Sequence, residues 1–314
     1  MSFIKIEEIT YKGWKHAVEI SNTDIRLIVV PEVGRILHFS FQNSENIFYE
    51  NSELEGLLFK TGTYYNQKIE APNIGGNRIL PCSEDYFHEI TGFRHIPDPY
   101  INASTYSINY LENGVVLKSP ISNYLGIQIV RKITINDNGS QVYIDQKITK
   151  IKPAKNNQLE KIPLTLWSLS KIKTPNISYT KKSGKNVFKN GFTISEWPDA
   201  KNYASENVTL NDNLIILKSS DGFPQKIGAD AKNWVAGYVG NNLLIERFEF
   251  DESAKYPDFG TSVTIFGNDL FSELEVLSPE KLLKVGESIN YNIKWNLIKM
   301  SSKEEAEQYL TQLP

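Results

Sequence analysis

Residues 271–297 read FSELEVLSPEKLLKVGESINYNIKWNL, and the first seven of them alternate between two kinds of side chain. Side chains of a β-strand point alternately to opposite faces, so a period of two predicts a strand over residues 271–277. The leucine and the valine of the alternation are predicted to pack in the core, which turns Glu273 and Glu275 together onto the other face. Two carboxylates on one strand face can act as an acid and a base. The alternative is a pair of glutamates on a solvated surface.

The same alternation recurs along the chain and indicates further strands, which favour β-branched and aromatic residues. The predicted strands cover residues 25–30, 35–41, 127–135, 142–150, 162–172, 214–218, 234–239, 243–250 and 289–297. Residues 150–161 form a polar loop that contains proline, but the β pattern resumes after it. Ser302 and Glu305 make a capping box that predicts a short final helix. We therefore predict an all-β protein, with residues 1–314 as a single domain and a short C-terminal helix.

The composition excludes several classes of protein. With 34 Lys and Arg residues against 37 Asp and Glu residues, the net charge of −3 lacks the basic surface that nucleic-acid binding requires. Residues 1–20 carry charges throughout, so neither a signal peptide nor a membrane-spanning helix is predicted. The single cysteine, Cys82, leaves no disulfide framework and no cysteine-cluster metal site. We expect a cytoplasmic protein with no nucleic-acid or membrane partner.

Residues 71–95, here called the window, read APNIGGNRILPCSEDYFHEITGFRH and differ from the rest of the chain. Two prolines and a Gly-Gly pair break both helical and strand periodicity, which predicts a long loop across a face or an end of a sheet. Long polar loops on a rigid β scaffold commonly carry binding and catalytic groups. The alternative is a solvated connection whose charges serve solubility. The candidate functional residues of the window are Asn77, Arg78, Glu84, His88 and His95.

Aromatic residues outside the window are a second kind of candidate. Trp167 shares one face of its predicted strand with Leu169 and Lys171. It either fills the core or offers a platform on which a flat ligand stacks. Tyr64 and Tyr65, which precede the window, either line a pocket or cover a sheet edge.

Four runs of residues together resemble the galactose mutarotase-like superfamily, which includes the aldose 1-epimerases. Residues 29–41 (VVPEVGRILHFSF) are similar to its first hairpin. In the window, GGNRILPC followed by TGFRH is similar to the Gly-Gly, Pro and His-Gly-Phe-Ala-Arg run of the hexose-phosphate mutarotase branch. Residues 271–288 resemble the strand that carries the general-base glutamate and the turn after it. The run YPDFG, residues 256–260, is similar to an uncharacterised subgroup of the superfamily.

The resemblance implies a β-supersandwich of large antiparallel sheets and an activity that needs no metal or cofactor. Such enzymes interconvert the anomers of a free aldose: a base takes the anomeric hydroxyl proton, an acid protonates the ring oxygen, and the ring opens and recloses. By this resemblance Glu273 or Glu275 is the base. Thr91 stands where the family has a histidine, which leaves His88 or His95 as the acid. The implied substrate-binding residues are Asn77, Arg78, Glu84, Trp167, Lys226, Arg247, Tyr256 and Asp258.

The expected partner is therefore a small-molecule carbohydrate, and the sequence carries no indication of an oligomeric state. The first hypothesis is an aldose 1-epimerase-like isomerase that acts on a free or modified sugar. The alternative is a non-catalytic carbohydrate-binding protein on the same scaffold, because a second histidine of the family is replaced in the strand around Trp167. A third is a different reaction on this scaffold, such as sugar-acid elimination or glycoside hydrolysis.

Overall fold

The computed structural model describes residues 3–63, 72–182, 188, 191–194, 207–211, 213–219 and 224–314. Tyr64 and Tyr65 lie outside these ranges. The strands are β1 (Lys5–Tyr11), β2 (Trp14–Ser21), β3 (Ile25–Val30), β4 (Arg35–Phe41), β5 (Asn77–Leu80), β6 (Ser107–Leu111), β7 (Gly114–Lys118), β8 (Ile127–Ile135), β9 (Gln141–Lys150), β10 (Trp167–Lys173), β11 (Asn176–Lys182), β12 (Phe192–Ile194), β13 (Val208–Asn211), β14 (Leu214–Lys218), β15 (Gln225–Ala229), β16 (Ala231–Val239), β17 (Asn242–Arg247), β18 (Val263–Gly267), β19 (Phe271–Leu277) and β20 (Ser288–Lys299).

These strands form two antiparallel sheets of ten strands each. The first sheet has the order β1-β2-β3-β4-β5-β10-β19-β18-β15-β12, and the second has the order β13-β14-β11-β16-β17-β20-β9-β8-β7-β6. Neighbouring strands are antiparallel throughout. The predicted all-β class is confirmed. Within the described ranges, no helix is long and apolar enough to cross a membrane.

The two sheets pack face to face around an aromatic and aliphatic core. The ring of Trp295 on β20 lies 5.8 Å from that of Phe39 on β4 and 5.4 Å from that of Phe48, which joins the second sheet to the first. Leu274 and Val276 of β19 are fully buried in the same core, as their alternation predicts. Burying one such side chain stabilises the fold by about 1.5–3 kcal/mol.

The C-terminal helix α2 (Lys303–Thr311; α1 is given below) covers the outer face of the second sheet. The Ser302 hydroxyl accepts a hydrogen bond from the backbone N–H of Glu305, so the predicted capping box forms. Ala306 and Leu310 are buried against Trp234 and its neighbours on that face. The predicted short C-terminal helix is confirmed.

The window is more ordered than a loop. It contributes β5 between β4 and β10, a 3₁₀ turn over Glu84–Tyr86 and the short helix α1 (Phe87–Thr91). The expectation of an irregular path throughout is therefore corrected. Local capping explains the difference, because Ser83 accepts a hydrogen bond from the backbone N–H of Asp85 and Gly92 ends α1 with a left-handed backbone.

The Gly-Gly pair of the window has a steric cause. Gly75 and Gly76 have φ values of +100° and +64°, where glycine is favoured. A Cβ at Gly75 would lie 2.1 Å from the carbonyl oxygen of Tyr49, and one at Gly76 would lie 2.2 Å from that of Ile36. The pair therefore lets the chain pass between two backbones and enter β5, which carries Arg78.

One predicted strand is shorter than expected. The segment 162–172 becomes β10 only from Trp167 onward, whereas Leu164 forms an isolated bridge with Lys281. Pro163 has no backbone N–H to donate to a neighbouring strand, and it lies in the part of the segment that stays outside the sheet.

Candidate functional site

The candidate site lies on the face of β10 and β19 that points away from the second sheet. On the opposite face, Leu274 approaches Gly237 of β16 in the second sheet. Alternation therefore turns Glu273 and Glu275 to the outer side, as predicted. The register pairs Glu273 with Lys171 of β10, so these two side chains project from the same face.

A cavity of about 230 Å³, here called the first cavity, lies over this face. Strands β5, β10, β15, β18 and β19 form its floor, and residues of the window and those just after it form its wall. The residues that line it are Pro72, Asn73, Arg78, Leu80, Glu84, Phe87, His95, Pro97, Trp167, Leu169, Lys171, Lys226, Phe266, Phe271, Glu273 and Glu275.

Glu273 is held in its ionised form by two cations. The Lys171 Nζ lies 2.9 Å from Glu273 Oε1, and the Lys171 ammonium also donates to the Asn73 side chain. Burial raises the pKa of Glu273, but Lys171 and Arg78 together outweigh it and hold this pKa below its usual value. Burial lowers the pKa of Lys171 itself to about 8, although Glu273 opposes the shift.

Glu275 has a different environment from Glu273, although it lies only two residues further along β19. The indole N–H of Trp167 donates to Glu275 Oε2 at 2.9 Å, while Oε1 makes no hydrogen bond within the described part of the protein. Burial, helped by the carboxylates of Glu273 and Glu84 and opposed by the attraction of Lys226, raises the pKa of Glu275 to about 8.

Lys226 links the floor of the first cavity to its wall. Its ammonium lies 3.0 Å from Glu84 of the window and 4.0 Å from Glu275, and 5.2 Å from the ring of Trp167. Burial lowers its pKa, but Glu275 and Glu84 reverse this shift and raise it, so Lys226 stays charged. Trp167 is buried, and it also lines the first cavity. The two roles considered from the sequence, core residue and platform for a ligand, are therefore compatible.

The geometry of the first cavity offers one proton acceptor and one proton donor on the same strand face. At neutral pH Glu273 is a carboxylate, and Glu275 keeps its proton. Environments that push the pKa values of two carboxyl groups apart are typical of acid–base pairs. Arg78 and His95 line the same space.

Several solved structures share this architecture. The chain is similar to a galactose mutarotase-like protein from Lactobacillus casei, at 12% identity and a TM-score of 0.53 over 90% of this chain and 100% of that chain. It is similar to an aldose epimerase homologue from C. elegans, at 10% identity and a TM-score of 0.53 over 91% and 99% of the two chains. A galactose mutarotase related enzyme from Lactobacillus acidophilus gives 8% identity and a TM-score of 0.52 over 91% and 99%.

The chain has the galactose mutarotase-like fold. The fold expected from the sequence motifs is thereby confirmed. No protein-family model and no curated protein sequence matches the chain.

Two of the predicted binding residues lie in a different cavity. Tyr256 and Asp258 line a cavity of about 500 Å³, here called the second cavity, and not the first. Tyr256 is buried, and its hydroxyl accepts a hydrogen bond from the backbone N–H of Asp251. The carboxylate of Asp258 accepts a hydrogen bond from the Ser83 hydroxyl.

Three other predicted residues lie outside both cavities. Asn77 points between the sheets, where it donates to Ser168 and Ser170 at 3.1 and 2.8 Å. Arg247 is on β17 of the second sheet. His88 is exposed on α1, at a position that does not face the first cavity's lining. Of the two candidate acids in the window, only His95 lines the cavity that the two carboxyl groups also line.

Lys171 and Asn73 contribute to the first cavity, although neither was singled out from the sequence as a site residue. The period of two already placed Lys171 on the face of Trp167, and that signal would have sufficed to include it. Asn73 gave no signal, because its contact with Lys171 depends on the path of the window. Across the described ranges, no three His, Cys, Asp or Glu side chains are grouped closely enough to hold a metal ion.

Proposed function

We propose that this protein is an aldose 1-epimerase-like isomerase that interconverts the anomers of a free or modified sugar in the first cavity. The observation that carries the proposal is the convergence of Glu273, Glu275, Arg78 and His95 on one cavity. The fold supports it, since solved structures named as galactose mutarotase-like and aldose epimerase proteins share the architecture. At about 230 Å³ the cavity is below the roughly 300–1,000 Å³ of pockets for drug-sized ligands, which suits one monosaccharide.

In the proposed reaction Glu273 is the base and Glu275 is the acid. The Glu273 carboxylate takes the proton of the anomeric hydroxyl while Glu275 gives its proton to the ring oxygen, and the C1–O5 bond breaks to leave the open-chain aldehyde. Rotation about the C1–C2 bond presents the other face of the aldehyde, and the reverse proton transfers close the ring. Glu275 Oε1 is the atom left to deliver the proton, because Oε2 already accepts from Trp167. Arg78 and Lys171 are cationic donors for the sugar hydroxyls.

Polarimetry tests this proposal. Freshly dissolved α-D-glucose and α-D-galactose should reach equilibrium faster with the wild-type protein than in buffer. Glu273→Gln should lower the protein-dependent rate by about 100-fold or more, because general acid–base catalysis contributes roughly 10²–10⁴-fold. Glu112→Gln, in an exposed turn, is the matched control and should keep the wild-type rate.

A second pair of variants identifies the acid. Glu275→Gln should slow the reaction as strongly as Glu273→Gln, whereas His95→Gln should have a smaller effect through binding. The opposite ranking would assign the acid to His95, as the resemblance implies.

One observation favours the alternative of a carbohydrate-binding protein without catalysis. The ion pair between Lys171 and Glu273, at 2.9 Å, makes Glu273 a weaker base than an ordinary carboxylate. For a binding protein, sugars should raise the Tm in proportion to their occupancy while the anomerisation rate stays that of buffer. If no sugar of a broad panel raises the Tm or the rate, both functions are wrong.

A further inference from the structure

Aromatic rings and carboxyl groups line the second cavity. The rings of Phe250 and Tyr256 are stacked with centroids 5.2 Å apart, and Tyr86 and Phe259 complete the aromatic part. Asp258 supplies a carboxylate on the side of the window. Aromatic faces pack against the C–H faces of a sugar ring, and carboxylate oxygens accept hydrogen bonds from its hydroxyls.

The linings of the two cavities meet at three consecutive residues of the window. Ser83 and Asp85 face the second cavity, while Glu84 between them lines the first and pairs with Lys226. The Ser83 hydroxyl donates to Asp258, which also lines the second cavity. Asp258 is also close enough to Lys226 to contribute to its electrostatic environment. The two cavities are therefore neighbours at residues 83–85 of the window.

The run 256–260 positions an exposed aromatic ring at the rim of the second cavity. Asp258 and Phe259 have φ values of +49° and +64°, and the backbone N–H of Gly260 donates to the Pro257 carbonyl at 3.0 Å. Positive φ at both central positions is the pattern of a type I′ turn, which favours Asn-Gly. A phenylalanine in this conformation is strained, and such strain clusters at ligand-binding positions.

Phe259 is 87% exposed, so packing against the described residues compensates little of that strain. A glycine at this position would relieve the strain. An exposed ring held at the rim of the cavity is available to stack on a bound molecule.

We infer that the second cavity binds the non-reducing neighbour unit of a disaccharide or longer glycan whose reducing-end sugar occupies the first cavity. The inference rests on the proposed carbohydrate function of the first cavity. At about 500 Å³ the second cavity has room for a whole sugar unit. Its carboxyl groups outnumber its one lysine, Lys255, which is already paired with Glu280 at 2.5 Å. The unit it accepts is therefore a neutral sugar and not a sugar phosphate or a sugar acid.

Titration calorimetry on the wild-type protein and on one variant tests whether the Phe259 ring contacts the sugar, and the Tm of the variant tests whether the ring matters for folding. Wild-type protein should bind at least one of maltose, cellobiose and lactose about tenfold more tightly than glucose, since one aromatic contact and one hydrogen bond supply that factor. Phe259→Gly should abolish this gain and leave glucose binding within about twofold. The same variant should raise the Tm by roughly 2 °C, because glycine adopts positive φ without strain.

Two further variants serve as controls. Phe259→Tyr keeps the ring and should keep the disaccharide gain. Phe3→Ala removes a ring that is also exposed, at 65%, but belongs to neither cavity, and it should leave all sugar affinities unchanged.

The possible failures are distinct. The inference is wrong if disaccharides bind no more tightly than glucose, or if Phe259→Gly weakens glucose and disaccharides equally. Monosaccharide anomerisation in either case would leave the proposed function intact. If the wild-type protein binds none of these sugars, both the inference and the proposed function are overturned.

Discussion

The two faces of the central strands of the first sheet both carry polar side chains, but they differ in what surrounds them. On the outer face, Lys171 and Glu273 form an ion pair beside the first cavity. On the inner face, Asn77 accepts from Arg131 of β8, and both are fully buried between the sheets with Glu246 of β17. Both clusters contain cations and carboxyl groups. Open space lies beside the outer cluster, whereas the inner one faces the packed interior.

Burial disfavours the charged form on both faces, and the comparison shows how far nearby charges oppose it. On the inner face, burial raises the pKa of Glu246 to about 8 and lowers that of Arg131 to about 10, so each is driven toward its neutral form. On the outer face, Lys171 and Arg78 outweigh burial and hold Glu273 ionised. Burial alone does not make a polar group a candidate for catalysis. The group must also lie beside a cavity and have a charged partner.

Two arginine substitutions, one on each face, should show the largest difference in the free energy of unfolding. Arg131→Met should lower the free energy of unfolding by about 2–3 kcal/mol, because the buried Asn77 oxygen loses its donor. Arg78→Met should change it by less than about 1 kcal/mol, since Arg78 is half-buried and its charge opposes that of Arg35.

Urea unfolding measures both variants, and sugar-induced Tm shifts measure ligand binding. Arg78→Met should lose sugar binding, while Arg131→Met should keep it once folded. Equal losses of stability would contradict the assignment of the two faces.

The pH dependence of stability should reveal the titration of Glu246, the carboxyl group on the inner face. Glu246 binds its proton more tightly in the folded protein, with a pKa of about 8 against the ordinary 4.5, so its stabilising contribution is complete below pH 4.5 and is lost as the pH rises toward 8. Glu246→Gln should therefore flatten the fall of Tm between pH 5 and 7.5. Glu275 has a pKa shifted in the same direction, so part of the slope should remain.

Differential scanning fluorimetry across this range checks the expectation. The exposed Glu112→Gln should reproduce the wild-type slope. A Tm that rises with pH in the wild-type protein would show that the burial of these two carboxyl groups is not the dominant effect.

The smallest effect should come from Ser170→Ala on the inner face. The Asn77 amide loses one acceptor at 2.8 Å but keeps Ser168 at 3.1 Å, so the cost should be at most about 1 kcal/mol. Polarimetry should give the wild-type rate. A reduced rate with unchanged stability would mean that the inner face takes part in the site after all.

The regular strands were accessible to prediction because their pattern is local. Residues 127–135 and 271–277 were predicted with the bounds that β8 and β19 have in the structure. The edge strand β1 was missed, since its side chains are mostly exposed or half-buried and the alternation is weak. The four-residue β5 was missed because the glycines and prolines around it predict a loop.

The candidate site was accessible only in part. The shared face of Glu273 and Glu275 followed from alternation, and Arg78 and His95 followed from the character of the window. The separation of His88 from the first cavity depends on how α1 is oriented, and the position of Tyr256 and Asp258 in a second cavity depends on the turn that holds them. Neither the orientation of α1 nor the path of that turn can be predicted from the spacing of residues in the sequence.

Local alternation in the sequence was enough to predict the bounds of β8 and β19, the buried face of β19 and the start of the last helix, because these features depend on neighbours a few residues apart. The tertiary structure decided that Arg78, Lys171, Lys226 and Glu273 meet over one cavity, since the strand order β5-β10-β19-β18-β15 brings together residues far apart in the chain. It also decided the charges of the two glutamates. A pKa is set by burial and by nearby charges in space, and β19 exposes its two carboxyl groups to different ones.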